Sequence, residues 1–317
     1  MKQQYTVGID IGGTNTDFGF VDARGNIARR GRIKMAGYDQ VEVYVKALTD
    51  EISRMAAELD AEIDGMGIGA PNGNFYTSCI EHAPNLKFKG VIPLADMIRQ
   101  SIPVPVALSN DANAAAYGEL IYGGAKGMKH MIMFTLGTGV GSGVIVDGRL
   151  VHGHTGAAGE LGHAILFPEG RPCSCGRRGC LEEYASARGI CQTFDELRCQ
   201  HPEYAGSLKD VAYAQLDPKQ IADAAHAGDV LALETYERTG YLLGIAAANA
   251  VAFSSPEAVF LMGGPVLAGE ILTGPLKKSF EEHLYISFKG KTQIRISELK
   301  ANDVAILGAA ALTKMPR

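Results

Sequence analysis

No stretch of the chain approaches the roughly 18 to 20 consecutive apolar residues that a membrane-spanning helix requires. The opening MKQQYTVGIDIGG also lacks the apolar segment of a secretory leader. A helical membrane protein is therefore excluded, and the cytoplasm is the expected location. A basic excess is missing too: the net charge is −5, which offers no general footing for a phosphate backbone. Neither a nucleic-acid nor a membrane partner is expected. No linker rich in Pro, Gly and Ser interrupts the chain, so any domains should join through helices. Cysteine is scarce, with six in 317 residues, yet three of them, Cys173, Cys175 and Cys180, crowd into one short stretch with His163 upstream.

What is present is a globular composition, 46% hydrophobic and 21% charged. Its length exceeds the roughly 250 to 300 residues at which one core stops growing, so two domains are expected. The stretch YTVGIDIGGTNTDFGFVDARGNIARRGRIKM reads as strand, Gly/Thr turn, strand, tight turn, strand. HMIMFTLGTGVGSGVIVDGRLVHG repeats that order further on. An internal repeat of this size suggests two related α/β domains whose glycine-rich loops face each other across a cleft. Between the repeats, the spacing of Val45, Leu48, Ile52, Met55 and Leu59 predicts a helix feeding the strand IDGMGIGAP. PVPVALSNDANAAAYGEL predicts a strand ending at Ser109, with Asn110 or Asp111 capping the next helix. Residues 219–253 are expected to be helical, EAVFLMGGPV is a further strand, and NDVAILGAAALTKM is a small-residue helix returning to the N-terminal domain.

The turn DIGGTNT sets Asp10 beside backbone N–H groups left unshielded by Gly12 and Gly13, an arrangement suited to phosphate oxygens. Thr14 and Asn15 add donors, and Asp10 suits the hydrate of Mg²⁺, which takes one or two carboxylates. A plain hairpin is the competing reading of this turn alone. Gly137, Thr138 and Gly139 repeat the pattern, and Gly263 and Gly264 open a third glycine turn. Together they point to a nucleoside triphosphate and a phosphotransferase.

Three thiolates and an imidazole make a common closed Zn²⁺ site. Cys-x-Cys with a third Cys five residues on fits a tight knuckle turned by Gly176 and Gly179. A disulfide between Cys173 and Cys175 is disfavoured by their closeness, and a redox-active thiol is the alternative. Arg171, Arg177 or Arg178 would offset part of the thiolate charge. With one ring nitrogen on zinc, His163 would be fixed in tautomer and direction. Cys79, Cys191 and Cys199 read as buried or incidental thiols.

DIGGTNTDFGFVD, SNDANAAAYGE, LGTGVGSGVIVDG, GAAGELGH, CSCGRRGCLEEYAS and ILGAAAL, in this order, resemble the ROK family of sugar kinases over essentially the whole chain. The resemblance implies the actin/hexokinase-like ATPase fold, with two ribonuclease-H-like α/β domains and an interdomain cleft. On that basis residues 1–118 with 304–317 form one domain, and 119–303, carrying the zinc segment 160–184, form the other. It implies ATP, Mg²⁺ and structural Zn²⁺ as cofactors. It makes Asp111 the catalytic base, and Asn85, Asn110, Glu160, His163 and Glu182 sugar ligands alongside Asp111. Asp10, Gly12, Gly13, Thr14, Asn15, Gly137, Thr138 and Gly139 fall at phosphate and Mg²⁺ positions, and Gly263 and Gly264 near the nucleotide. His163, Cys173, Cys175 and Cys180 become the metal ligands. The acceptor expected is a hexose, first glucose at its 6-hydroxyl, in a homo-oligomer of two or more copies. Alternatives are fructose, mannose, allose, N-acetylmannosamine or N-acetylglucosamine, or a sugar sensor without catalysis. ROK repressors carry a DNA-binding motif before the first hairpin, for which these few leading residues leave no room. Two departures stand out: GAPNGNFYTS replaces the usual Pro-Gly-Pro-Val type turn, putting Asn72 and Gly73 near the sugar, and Pro265 removes a donor near the nucleotide.

Overall fold

The computed structural model describes residues 2–316. The chain divides into two compact units, Met1–Lys129 with Gly143–Gly159 and Ser297–Arg317, and His130–Ser142 with Glu160–Ile296. In chain order the first stretch supplies β1 (Gln3–Ile11), β2 (Asn15–Val21), β3 (Ile27–Lys34), α1 (Val41–Glu58) and β4 (Ala61–Ala70). Three short strands follow, β5 (Gly73–Asn74), β6 (Cys79–Glu81) and β7 (Val91–Ile92), then α2 (Leu94–Ser101), β8 (Val106–Asn110) and α3 (Asp111–Tyr122).

The main sheet here runs β3-β2-β1-β4-β8. Its first three strands form an antiparallel meander, while β1, β4 and β8 are parallel. Val7, Ile9, Phe18 and Phe20 are fully buried in it, each worth about 1.5–3 kcal/mol of transfer from water. On α1 the predicted stripe holds for Val45, Leu48, Ile52 and Met55, all buried, whereas Leu59 is the C-cap and only partly buried. The strand expected to end at Ser109 includes Asn110 as well.

The next stretch supplies β9 (Met131–Leu136), β10 (Val140–Val146), β11 (Arg149–Leu150), α4 (Glu182–Ala185) and α5 (Ala187–Gln200). It continues with α6 (Pro218–His226), α7 (Val230–Ser254), β12 (Ala258–Gly263), α8 (Glu270–His283) and β13 (Gln293–Ile296). The second sheet runs β11-β10-β9-β12-β13, with β12 parallel to both β9 and β13. The repeat seen in the sequence is therefore a repeat of a hairpin with parallel strands added to its first member. The helix expected over 219–253 is in fact two. Gly228 adopts φ +91°, and the Asp229 side chain accepts from Ala232 N–H to start α7 afresh.

The last helix, α9 (Val304–Ala311), belongs to the first unit, as its small residues suggest. It presses on the sheet so closely that a Cβ at Gly8 would lie 2.0 Å from Ile306 O, and one at Gly67 1.8 Å from Ala309 O. Only glycine permits that approach. Among the described residues no helix is long and apolar enough to cross a membrane.

Candidate active site

In the first unit the predicted residues gather at the carboxyl ends of the parallel strands, where ligands bind in open α/β sheets. Asp10 lies near the end of β1 and pairs in register with Gly69 of β4, and Gly69 pairs with Ser109 of β8. A Cβ on Gly69 would sit 3.9 Å from Asp10 Oδ1 and 3.6 Å from Asp111 Cα. That glycine keeps the ground between the two acids clear, a role the sequence reading missed. Burial, then the charges of Asp111 and Asp17, push the Asp10 pKa up to about 7. Asp17 is in turn engaged by Arg32, whose Nη2 donates to it at 3.0 Å.

Asp111 opens α3, but it is not the cap: Asn110 Oδ1 accepts from Asn113 N–H at 3.0 Å. Capping thus uses one atom of Asn110 and leaves Asp111 at the first helical position. The Asp111 residue keeps an exposed face, while protein crowds its carboxyl enough that burial raises its pKa, opposed by the hydrogen bond from Ala112 N–H. The first glycine turn is closed by Gly12 N–H donating to Asn15 O at 2.9 Å, and Met35 N–H donates to Thr14 O. Asn85 meets this turn through its backbone, since a Cβ on Gly13 would stand 2.6 Å from Asn85 O.

In the second unit the 137–140 turn is closed by Gly137 N–H donating to Gly139 O at 2.9 Å. Thr138 lies exposed at its tip. Glu182 Oε2 accepts from Val140 N–H at 2.9 Å. Gly263, at φ +117°, packs on the same strand end, where a Cβ would fall 1.8 Å from Leu136 O. Gly264 begins the short helix 264–268, and Pro265 sits in its first turn, where a missing N–H costs no helical hydrogen bond. The Pro265 departure is thereby accommodated locally.

The metal candidates converge: one ligand atom each from His163, Cys173, Cys175 and Cys180 lies within 4.8 Å of the others. His163 Nδ1 and Cys173 Sγ are 3.6 Å apart, and Cys175 Sγ and Cys180 Sγ 3.7 Å. A tetrahedron with Zn–S of about 2.3 Å and Zn–N of about 2.0–2.1 Å has edges of about 3.6 and 3.8 Å, so the donor set fits zinc in both chemistry and spacing. Gly176 and Gly179 adopt φ +85° and +71°, as the knuckle demands. Of the three arginines proposed to offset charge, Arg177 does so: it draws the Cys175 thiol down to about 6 and donates to His163 O at 3.0 Å. Arg171 is committed to Glu196, Thr193 and the Glu183 and Gly189 carbonyls, and Arg178 to Gly170 O. Glu160 is exposed, its carbonyl accepting from His163 N–H.

The reading also missed Glu183, buried and paired through both oxygens with Arg188 at 2.7 and 2.8 Å. Nothing in CLEEY tells which of two adjacent glutamates is structural. Asn74 was missed as well. In the unusual 70–79 loop its Oδ1 accepts from Tyr76 N–H, and its Nδ2 donates to Thr155 O and Glu81. Tyr76 donates to Gly153 O, and the Phe75 ring stacks flat on His152 at 4.2 Å. The departure loop therefore clasps residues 152–155, which lead into Glu160.

The sequence profile of the ROK family matches residues 6–315. A glucokinase of Halalkalibacterium halodurans is 34% identical, over 99% of this chain and 96% of its own. The crystal structure of a ROK family glucokinase from Streptomyces griseus in complex with glucose and AMPPNP aligns with a TM-score of 0.80 and 31% identity, over 97% of this chain and 98% of that one. A xylose repressor of Bacillus subtilis is 28% identical over 96% of this chain and 76% of its own. These similarities establish the expected α/β architecture as the actin-like ATPase fold of the ROK sugar kinases. The chain belongs to the ROK family.

Proposed function

We propose that this chain is an ATP-dependent kinase of hexoses that phosphorylates glucose on its 6-hydroxyl. Glucokinases 33–34% identical over nearly the full chain support the acceptor, and the glucose and AMPPNP held by the Streptomyces griseus relative support both substrates. The single observation that carries the chemistry is the placement of Asp111: Asn110 takes the capping duty, and Asp111 opens α3 at the strand ends, close enough to Asp10 for its charge to help raise the Asp10 pKa.

Phosphoryl transfer needs alignment and charge stabilisation more than covalent chemistry. Asp111 takes the proton of the attacking hydroxyl, and the elevated pKa that burial gives it makes it a better acceptor. Asn85, Asn110 through its amide nitrogen, Glu160, His163 through Nε2, and Glu182 read the other hydroxyls. A site of paired polar groups rejects analogues that lack them. Gly13, Thr14 and Asn15, with Thr138 and Gly139, offer N–H and hydroxyl donors to phosphate on turns that the Gly12 and Gly137 N–H groups close, and Gly263 and Gly264 leave open backbone for the nucleotide. Asp10 would hold the hydrate of Mg²⁺, whose charge would offset that of the phosphates. Zn²⁺ would be held by His163 Nδ1 and the Cys173, Cys175 and Cys180 thiolates, and its contribution is to stiffen their loop. The working protein is taken to be a cytoplasmic homo-oligomer of two or more copies.

A coupled ADP-release assay across glucose, mannose, fructose, allose, N-acetylmannosamine and N-acetylglucosamine tests this, with metal analysis and sedimentation of the same sample. Glucose should give the highest kcat/KM, and zinc should approach one per chain. The xylose repressor relationship keeps a second reading in view, a sensor that binds sugar. Sugar binding without ADP release would establish that reading in place of the kinase.

A further inference from the structure

The 137–142 segment is gripped at three places by the segment carrying the proposed sugar ligands. Ala187 N–H donates to Gly137 O at 2.8 Å. Val140 N–H donates to Glu182 Oε2 at 2.9 Å, and Leu161 N–H donates to Ser142 Oγ at 3.0 Å. Close packing adds to these bonds. A Cβ on Gly139 would lie 2.4 Å from Glu182 Oε2, and one on Gly162 only 1.8 Å from Val140 O. Val140, the first residue after the turn, is thus held on its N–H side by Glu182 and on its carbonyl side by the backbone between Glu160 and His163.

We infer that Glu182 is a positioning residue for the nucleotide turn as well as a sugar ligand, so that one carboxylate couples occupancy of the two substrate sites. One oxygen is committed to Val140 N–H, and the other is the atom available to a sugar hydroxyl. A carboxylate that bonds a hydroxyl must keep or adjust its grip on the turn. Any change sugar makes in nucleotide affinity must be matched by an equal change nucleotide makes in sugar affinity. This inference rests on the kinase reading for the identity of the ligands. The grip itself rests on the hydrogen bond and the packing alone.

The test uses the full chain and needs no turnover. AMPPNP with Mg²⁺ is titrated calorimetrically in the absence of sugar into wild type, Glu182→Ala and Glu182→Gln, and amide exchange is followed across residues 135–142. Glutamine keeps an oxygen for Val140 N–H, and alanine does not. Glu182→Ala is expected to bind AMPPNP about tenfold more weakly, the scale of losing one hydrogen bond to a charged group, and to exchange faster at Val140. Glu182→Gln is expected to restore both while still binding glucose poorly. A residue that served only as a sugar ligand would move neither sugar-free measurement. AMPPNP affinity and Val140 protection unchanged in Glu182→Ala overturn the inference. A wild type that protects Val140 but binds no AMPPNP overturns the kinase reading, and with it the coupling. Circular dichroism of each variant separates loss of grip from loss of fold, and if the alanine variant is unfolded Glu182→Met, of similar length but without an oxygen for Val140 N–H, takes its place: faster exchange at Val140 with weaker AMPPNP binding supports the inference, and wild-type values of both refute it.

Discussion

The two glycine hairpins share an architecture but obtain their carboxylate differently. The β1–β2 turn has Asp10 on its own strand, raised in pKa by burial and by Asp111 and Asp17. The β9–β10 turn has no acid of its own, and Glu182, 42 residues away, supplies one to its backbone. The packing differs in kind as well. Gly13 is pressed by the backbone carbonyl of Asn85, Gly139 by the end of a side chain. A repeated fold therefore does not imply a repeated site: one turn is self-sufficient, the other is completed by the segment that carries the proposed metal ligands.

The largest expected effect falls on the first hairpin's neighbour. Asp111→Asn should lower kcat by about 10³, within the usual range for a general base, with glucose binding within a few-fold of wild type. ADP release and a glucose titration read the two, and retained turnover would dismiss Asp111 as the base. Next comes the contrast between glycines. Gly13→Ala must displace a backbone carbonyl and should cost about a hundredfold in kcat/KM, the scale of a misplacement near 1 Å. Gly139→Ala only turns a carboxylate aside and should cost about tenfold, chiefly as a raised KM. Steady-state kinetics of both variants decides it, and the reverse ranking would break the comparison.

The smallest effect concerns stability. Asp10 holds its proton up to about pH 7 when folded, against 3.8 as a free side chain. Between those values the folded state binds more protons than the unfolded state, so stability falls as pH rises. Asp10→Asn removes that slope. Without nucleotide and Mg²⁺, its melting temperature should exceed that of wild type by about 5 °C more at pH 8 than at pH 5. Parallel melting curves across this window would contradict the assigned environment of Asp10.

Local chemistry made most of the frame legible. The Gly/Thr turns, the α1 stripe and the knuckle glycines each depend on residues a few positions apart. What stayed hidden depends on long-range choice. Asn110 and Asp111 are equally good caps by type, and only the folded helix shows that Asn110 caps while Asp111 is released. Nothing near Glu182 announces its bond to Val140, and no local pattern reveals that Asn74 reaches Thr155. The break between α6 and α7 was legible in Gly228 and Asp229, but the alanine-rich run around them masked it.

The approach of α9 to Gly8 and Gly67 sets an order of events during synthesis. The sheet that begins with residue 3 is covered on one face by a helix beginning at residue 304. A nascent chain emerging from the ribosome therefore carries β1 and β4 without that helix until residues 304–311 have been made. The unit that contains β1 completes its core with a helix about 300 residues downstream, and until that helix is made its apolar strands are exposed to misassembly.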